Sequence, residues 1–82
     1  MTKPGWLRCE SVDQGMFSDE LAVVVERRNG AQESYFVPAA QVEKERSRVR
    51  VQVRDAGPLV WATLPTPEPV TIAVDKALLA FK

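Results

Sequence analysis

Arg48-Val49-Arg50-Val51-Gln52-Val53-Arg54 alternates without a break, with valines at one parity and polar residues at the other. Successive side chains of a strand point to opposite faces, so this pattern makes a half-buried strand with Val49, Val51 and Val53 inside and Arg48, Arg50 and Arg54 outside. Asp55-Ala56-Gly57-Pro58 then supplies turn residues, and Leu59 to Leu64 resumes an apolar run that Pro65 ends. The two segments predict an antiparallel hairpin.

Further towards the start, Leu21-Ala22-Val23-Val24-Val25 reads as a second apolar strand, Asn29-Gly30 offers left-handed turn positions, and Glu33 to Val37 returns. A two-residue loop at Asn29-Gly30 sets Val23 opposite Phe36 but also Glu26 opposite Glu33, a like-charge pair. A three-residue loop with a bulge relieves that pair, so both registers stay open. Trp6 to Val12 and Val70 to Val74 complete the set as first and last strands. Pro65, Pro67 and Pro69 cannot donate to a ladder and confine their stretch to a loop or a sheet edge. Ala39 to Val42 and Asp75 to Leu79 are long enough for single helical turns only. Tyr35 to Val42 and Ile72 to Leu79 also echo each other by residue class, as strand, turn former, helical turn and aliphatic end. The predicted core is Leu7, Leu21, Val23, Val25, Phe36, Val49, Val51, Val53, Ile72 and Leu78.

The chain has 82 residues, which suits one small β domain over residues 1–82. Its 11 basic and 11 acidic residues cancel, so no overall field points to nucleic acid or an anionic membrane, and any preference must be local. There is no histidine and a single cysteine, Cys9, which removes disulfide frameworks, zinc sites with several Cys or His ligands, and imidazole catalysis. The sequence turns polar after Trp6, without the apolar run of about 7 to 15 residues that an export signal needs. No apolar run approaches the roughly 20 residues of a membrane-spanning helix. A lone cysteine fits a reducing compartment, and the expectation is a cytoplasmic protein without membrane contact.

Five or six short strands joined by short turns, with a one-turn helix near the end, resemble the SH3-like family of small barrels over about residues 6 to 80. The resemblance is one of architecture and rests on no specific motif. It implies a small five- or six-stranded antiparallel barrel with one or two single-turn helices. Peptide-binding members of that family carry an acidic loop and an aromatic ladder with paired tyrosines and a tryptophan doublet. This chain has one tyrosine and two separated tryptophans, so binding of proline-rich peptides is not implied. A mixed α+β sheet or an OB-like barrel stays open as well.

The candidate site is the basic stripe from Lys44 to Arg54. Arg48, Arg50 and Arg54 share one strand face at intervals of about 7 Å or a multiple of it, a spacing that suits an acidic partner or a phosphate backbone. The plain alternative is a solvated face whose arginines pair with Glu10, Glu26 or Glu33 across the sheet. If Asp55 to Pro58 form a four-residue loop, Gln52 faces Trp61, and the indole joins Arg50 and Arg54 outside. A three-residue loop turns Trp61 inward against Val51. Trp6 reads as a lid over one end of the core.

Catalysis has little support, because no serine has a histidine to activate it and Cys9 lies at a core parity with Leu7. Asp13, Asp19 and Glu20 cluster near a loop without the ligand spacing of a calcium site. The leading reading is a non-enzymatic protein-interaction module or small subunit, self-associating or docking a larger partner, that makes its contact through Arg48, Arg50, Arg54 and Trp61, with no cofactor or metal. Its alternative is a small RNA- or DNA-binding β-barrel using the Lys44 to Arg54 stripe.

Overall fold

The computed structural model describes residues 1–82. Nine strands follow in order: β1 (Lys3–Arg8), β2 (Ser11–Gln14), β3 (Glu20–Glu26), β4 (Gln32–Pro38), β5 (Val42–Glu43), β6 (Arg48–Ala56), β7 (Leu59–Leu64), β8 (Val70–Val74) and β9 (Leu79–Ala80). The only helical segments are single 3-10 turns at Ala39–Gln41, Lys44–Arg46 and Lys76–Leu78. The mainly β character and the brevity of the helices are as the sequence predicts, although the turn at Lys44–Arg46 has no counterpart in that reading. Six expected strands become nine because the first one divides into β1 and β2 at Cys9 and Glu10, and because β5 and β9 are two-residue strands.

Strand β6 organises the larger sheet, whose order is β8-β7-β6-β1-β9, with β5 also bonded to β6. One edge of β6 pairs with β1 from Arg48 to Val53; the other pairs with β5 at Arg48 and Val49, then with β7 from Gln52 onward. The smaller sheet has the order β2-β3-β4. Val49, Val51 and Val53 point into a shared core with Leu7, Val23, Val25, Val37, Ala62, Leu64, Ile72 and Val74, so the two sheets pack face to face.

These are two open sheets and not the closed barrel expected. The β3–β4 hairpin makes a backbone hydrogen bond to β8 only at its tip, where the Arg28 N–H donates to the Ala73 carbonyl at 2.8 Å. Farther along the seam, Pro65 and Pro67 face Phe36 and Pro38 across a cleft of about 340 Å³. Prolines there have no N–H to extend a ladder, and the seam stays unzipped.

Both hairpin registers are fixed by their turns. Arg27 donates to Ala31, leaving Arg28, Asn29 and Gly30 as a three-residue loop with Gly30 at φ 90°. Val23 therefore faces Tyr35 and Glu26 faces Gln32, so the like-charge pair is avoided. The same shift buries Val37 and leaves Phe36 at 43% exposure, which removes Phe36 from the expected core; Leu78 is only half-buried. The second turn is tighter than either loop weighed from the sequence. Ala56 pairs with Leu59 around Gly57, at φ 67°, and Pro58, the sign pattern of a type II′ turn.

The echo between Tyr35–Val42 and Ile72–Leu79 has a structural counterpart. Strand β4 runs into the 3-10 turn at Ala39–Gln41 and then β5, as β8 runs into Lys76–Leu78 and then β9. Each closing strand pairs with the opening strand of the other half: Val42 with Val49, and Leu79 with Leu7. Leu7 and Val49 themselves pair at the centre. The chain is thus two similar halves that exchange their last strands.

Candidate functional site

The outward side chains of β6 are Arg48, Arg50, Gln52 and Arg54, as the alternation predicts. Across β1, Trp6 stands opposite Arg50 and Arg8 opposite Arg48; across β7, Trp61 stands opposite Arg54. The outer face of the larger sheet therefore carries four arginines and both tryptophans, with Glu43 as its carboxylate.

Three sequence expectations need correction here. The indole next to Arg50 is Trp6 and not Trp61, because the two-residue turn slides Trp61 from Gln52 to Arg54. Parity is preserved in that slide, so Trp61 is on the outer face, half-buried, and does not meet Val51. Trp6 is no lid over the core: it lies on the outer face with the guanidinium carbons of Arg48 and Arg50 at 4.6 and 5.0 Å from its ring centre. Guanidinium groups at such distances are held by the negative face of the ring.

The carboxylate that meets the stripe is Glu43, and not Glu10, Glu26 or Glu33. Arg48 donates from Nε and Nη2 to the two oxygens of Glu43 at 3.0 and 3.4 Å, a fork that its register opposite Glu43 permits. Arg46 reaches the same carboxylate at 3.4 Å. Arg8, Arg50 and Arg54 form no ion pair. The stripe is thus part structural, at Arg48, and part uncompensated charge.

Each tryptophan borders a concavity. Trp61 lines a groove of about 390 Å³ with Arg27, Arg28, Asn29 and Ala73. The tip of the β3–β4 hairpin forms one wall, held by the Arg28 to Ala73 bond and by Arg28 Nη1 donating to the Pro58 carbonyl at 3.3 Å. Arg28 and Arg27 were outside the stripe read from the sequence, since only the fold brings a hairpin tip beside Trp61. Trp6 lines a smaller hollow of about 220 Å³ with Arg8, Arg46 and Arg48.

The charges at the hairpin tip are unequal. Arg27 is compensated: it contacts Glu33 as an ionic neighbour and donates to the Tyr35 hydroxyl at 3.4 Å, while that hydroxyl donates to Glu33 at 2.9 Å. The Tyr35 hydrogen bond, followed by the contact with Arg27, holds the Glu33 carboxyl below its ordinary value. Arg28 forms no ion pair and adds its charge to the Trp61 groove.

Cys9 and Glu20 serve the fold. Burial pushes the Cys9 thiol up to about 12, so it remains protonated and packs as an apolar side chain. Glu20 Oε1 accepts from the N–H groups of Met16 and Phe17 and closes the loop before β3. No group of three or more His, Cys, Asp or Glu side chains is arranged to hold a metal ion. No helix is long and apolar enough to cross a membrane. No family model, no curated protein and no solved structure matches the chain.

Proposed function

We propose that this protein is a non-enzymatic interaction module whose contact surface is the outer face of the larger sheet. The observation that carries this reading is the composition of that face: Trp6 and Trp61 interleaved with Arg8, Arg50 and Arg54, whose charges no carboxylate neutralises. Tryptophan and arginine dominate interface hot spots because they combine large apolar area with hydrogen-bonding or charged groups. The partner is a protein surface that is acidic and apolar together. An SH3-like resemblance and a cytoplasmic location are compatible with this reading and are not required by it.

A second reading is an RNA- or DNA-binding face, favoured by Arg28 and Arg54 flanking an indole on which a base can stack. The zero net charge and the absence of a row of neighbouring aromatics weigh against it. The test is a selection of displayed random peptides on the native protein, with counter-selection on R50E/R54E, beside a fluorescence titration with mixed single-stranded nucleic acid. The expected result is enrichment of acidic, apolar peptides that bind only the native face, with mild salt dependence. Tight nucleic-acid binding that collapses as salt rises would overturn it, as would selected peptides that ignore the substitutions.

A further inference from the structure

The opposite side of the molecule carries the complementary chemistry. The outer face of the smaller sheet is formed by the residues that alternate with Leu21, Val23 and Val25 on β3 and by those paired with them: Ser11 and Asp13 on β2, Glu20, Ala22, Val24 and Glu26 on β3, and Gln32, Ser34, Phe36 and Pro38 on β4. It holds three carboxylates and no lysine or arginine. Its centre is apolar, with Val24 and Ala22 half-buried and Phe36, opposite Ala22, at 43% exposure. The larger sheet presents the reverse, four arginines against Glu43. The two sheets share one core, so these outer faces point away from each other. A chain of zero net charge is therefore split into a basic aromatic side and an acidic apolar side.

We propose that the partner is a second copy of this chain, with the acidic face around Asp13, Phe36 and Glu26 of one copy docked on the Trp6, Arg50, Arg54 and Trp61 face of the next. This rests on the reading of the latter face as a protein-contact surface and names its partner. Charge complementarity selects the arrangement. Pairing either face with itself would oppose like charges, whereas head-to-tail pairing brings opposite charges together and seats Phe36 against the indoles. Such an interface is heterologous: a docked pair leaves one basic and one acidic face unused, and assembly closes as a ring or continues as an open row. The overall neutrality means that no long-range repulsion keeps copies apart.

The experiment is sedimentation velocity on the native chain and on two charge-reversed variants, R50E/R54E and D13K/E26K, whose sites all lie on outer faces. The native chain should form species that grow with concentration. Each variant alone should be monomeric, with association weakened on the order of 10-fold or more. An equal mixture should recover association, because the acidic face of the first variant fits the intact basic face of the second. A native chain that stays monomeric up to its solubility limit overturns the proposal, as does a mixture in which both variants remain monomeric. Should a reversed variant melt early, R50Q/R54Q and D13N/E26Q give the same comparison with smaller shifts. A monomeric native chain whose arginine face still selects acidic, apolar peptides would sink self-docking alone; loss of both would remove the contact-face reading too.

Discussion

Trp6 and Arg50 stand directly opposite each other on β1 and β6, with the guanidinium carbon 5.0 Å from the centre of the indole ring. Neither residue faces the core, so the pair is a surface element laid across the joint between the two halves of the chain. It holds an arginine that no carboxylate restrains.

Replacing Arg50 with glutamine should lower stability by roughly 0.5–1 kcal/mol, the range of an exposed cation–π contact. In a W61F background, where Trp6 is the sole tryptophan, its emission should move to the red as the ring loses cover. Unchanged melting and unchanged emission would show that the stack does not persist in solution.

Val51 is 2% exposed at the middle of β6. Its truncation to alanine should cost roughly 1–3 kcal/mol, a large part of what so small a domain can hold. Chemical denaturation checks this. A variant with the parent's midpoint would mean that the strand faces the other way.

The Cys9 thiol, raised by burial from 9.0 to about 12, ties stability to alkaline pH. The folded chain keeps a proton that the unfolded chain releases, so the contribution is intact below about pH 9 and is lost at about 1.4 kcal/mol per pH unit above it. Denaturation midpoints compared between the native chain and Cys9→Ala from pH 8 to 10 should diverge, with the native chain falling faster. Parallel curves would place the thiol in contact with water.

Tyr35→Phe removes the strongest cause of the low Glu33 titration. Carboxyl-resolved NMR should then find Glu33 titrating at higher pH, nearer an ordinary glutamate, with Arg27 as its remaining support. The sign follows from linkage: a depressed carboxyl stabilises the hairpin tip above its unfolded pKa and loses that support as pH falls, so the variant should be the weaker near neutral pH and the difference should shrink on acidification. An unmoved Glu33 would show that Arg27 alone holds it.

Much of the fold was legible because β6 is long and its alternation is uninterrupted: its valines are buried as read, and the strands from Leu21, Glu33, Leu59 and Val70 all form. What escaped depended on turns. A shift of one residue at Arg28–Gly30 exchanged Phe36 for Val37, and a two-residue turn at Gly57–Pro58 slid Trp61 past Gln52. Turn length is set by local left-handed positions, and each residue of slip moves every partner beyond it. Arg48, Arg50 and Arg54 were found from period alone. Trp6 was missed because its neighbours across the sheet lie more than forty positions away, and nothing local marks that pairing. The barrel failed to close at a seam of prolines whose presence was visible but whose place between the sheets was not.

The exchanged closing strands make the Lys44–Ser47 link the only covalent tie between two interlocked halves. Strand β5 is buttoned onto the second half and β9 onto the first, and the central pairing of β1 with β6 spans both. Severing the chain in that link would leave every ladder in place, and the pieces would stay clasped as a reconstituted particle. Apart, the first piece would lose both mates of its opening strand β1, and the second would lose β1 and β5 from β6 while keeping β7. The molecule is therefore two-part in its cohesion while continuous in its backbone.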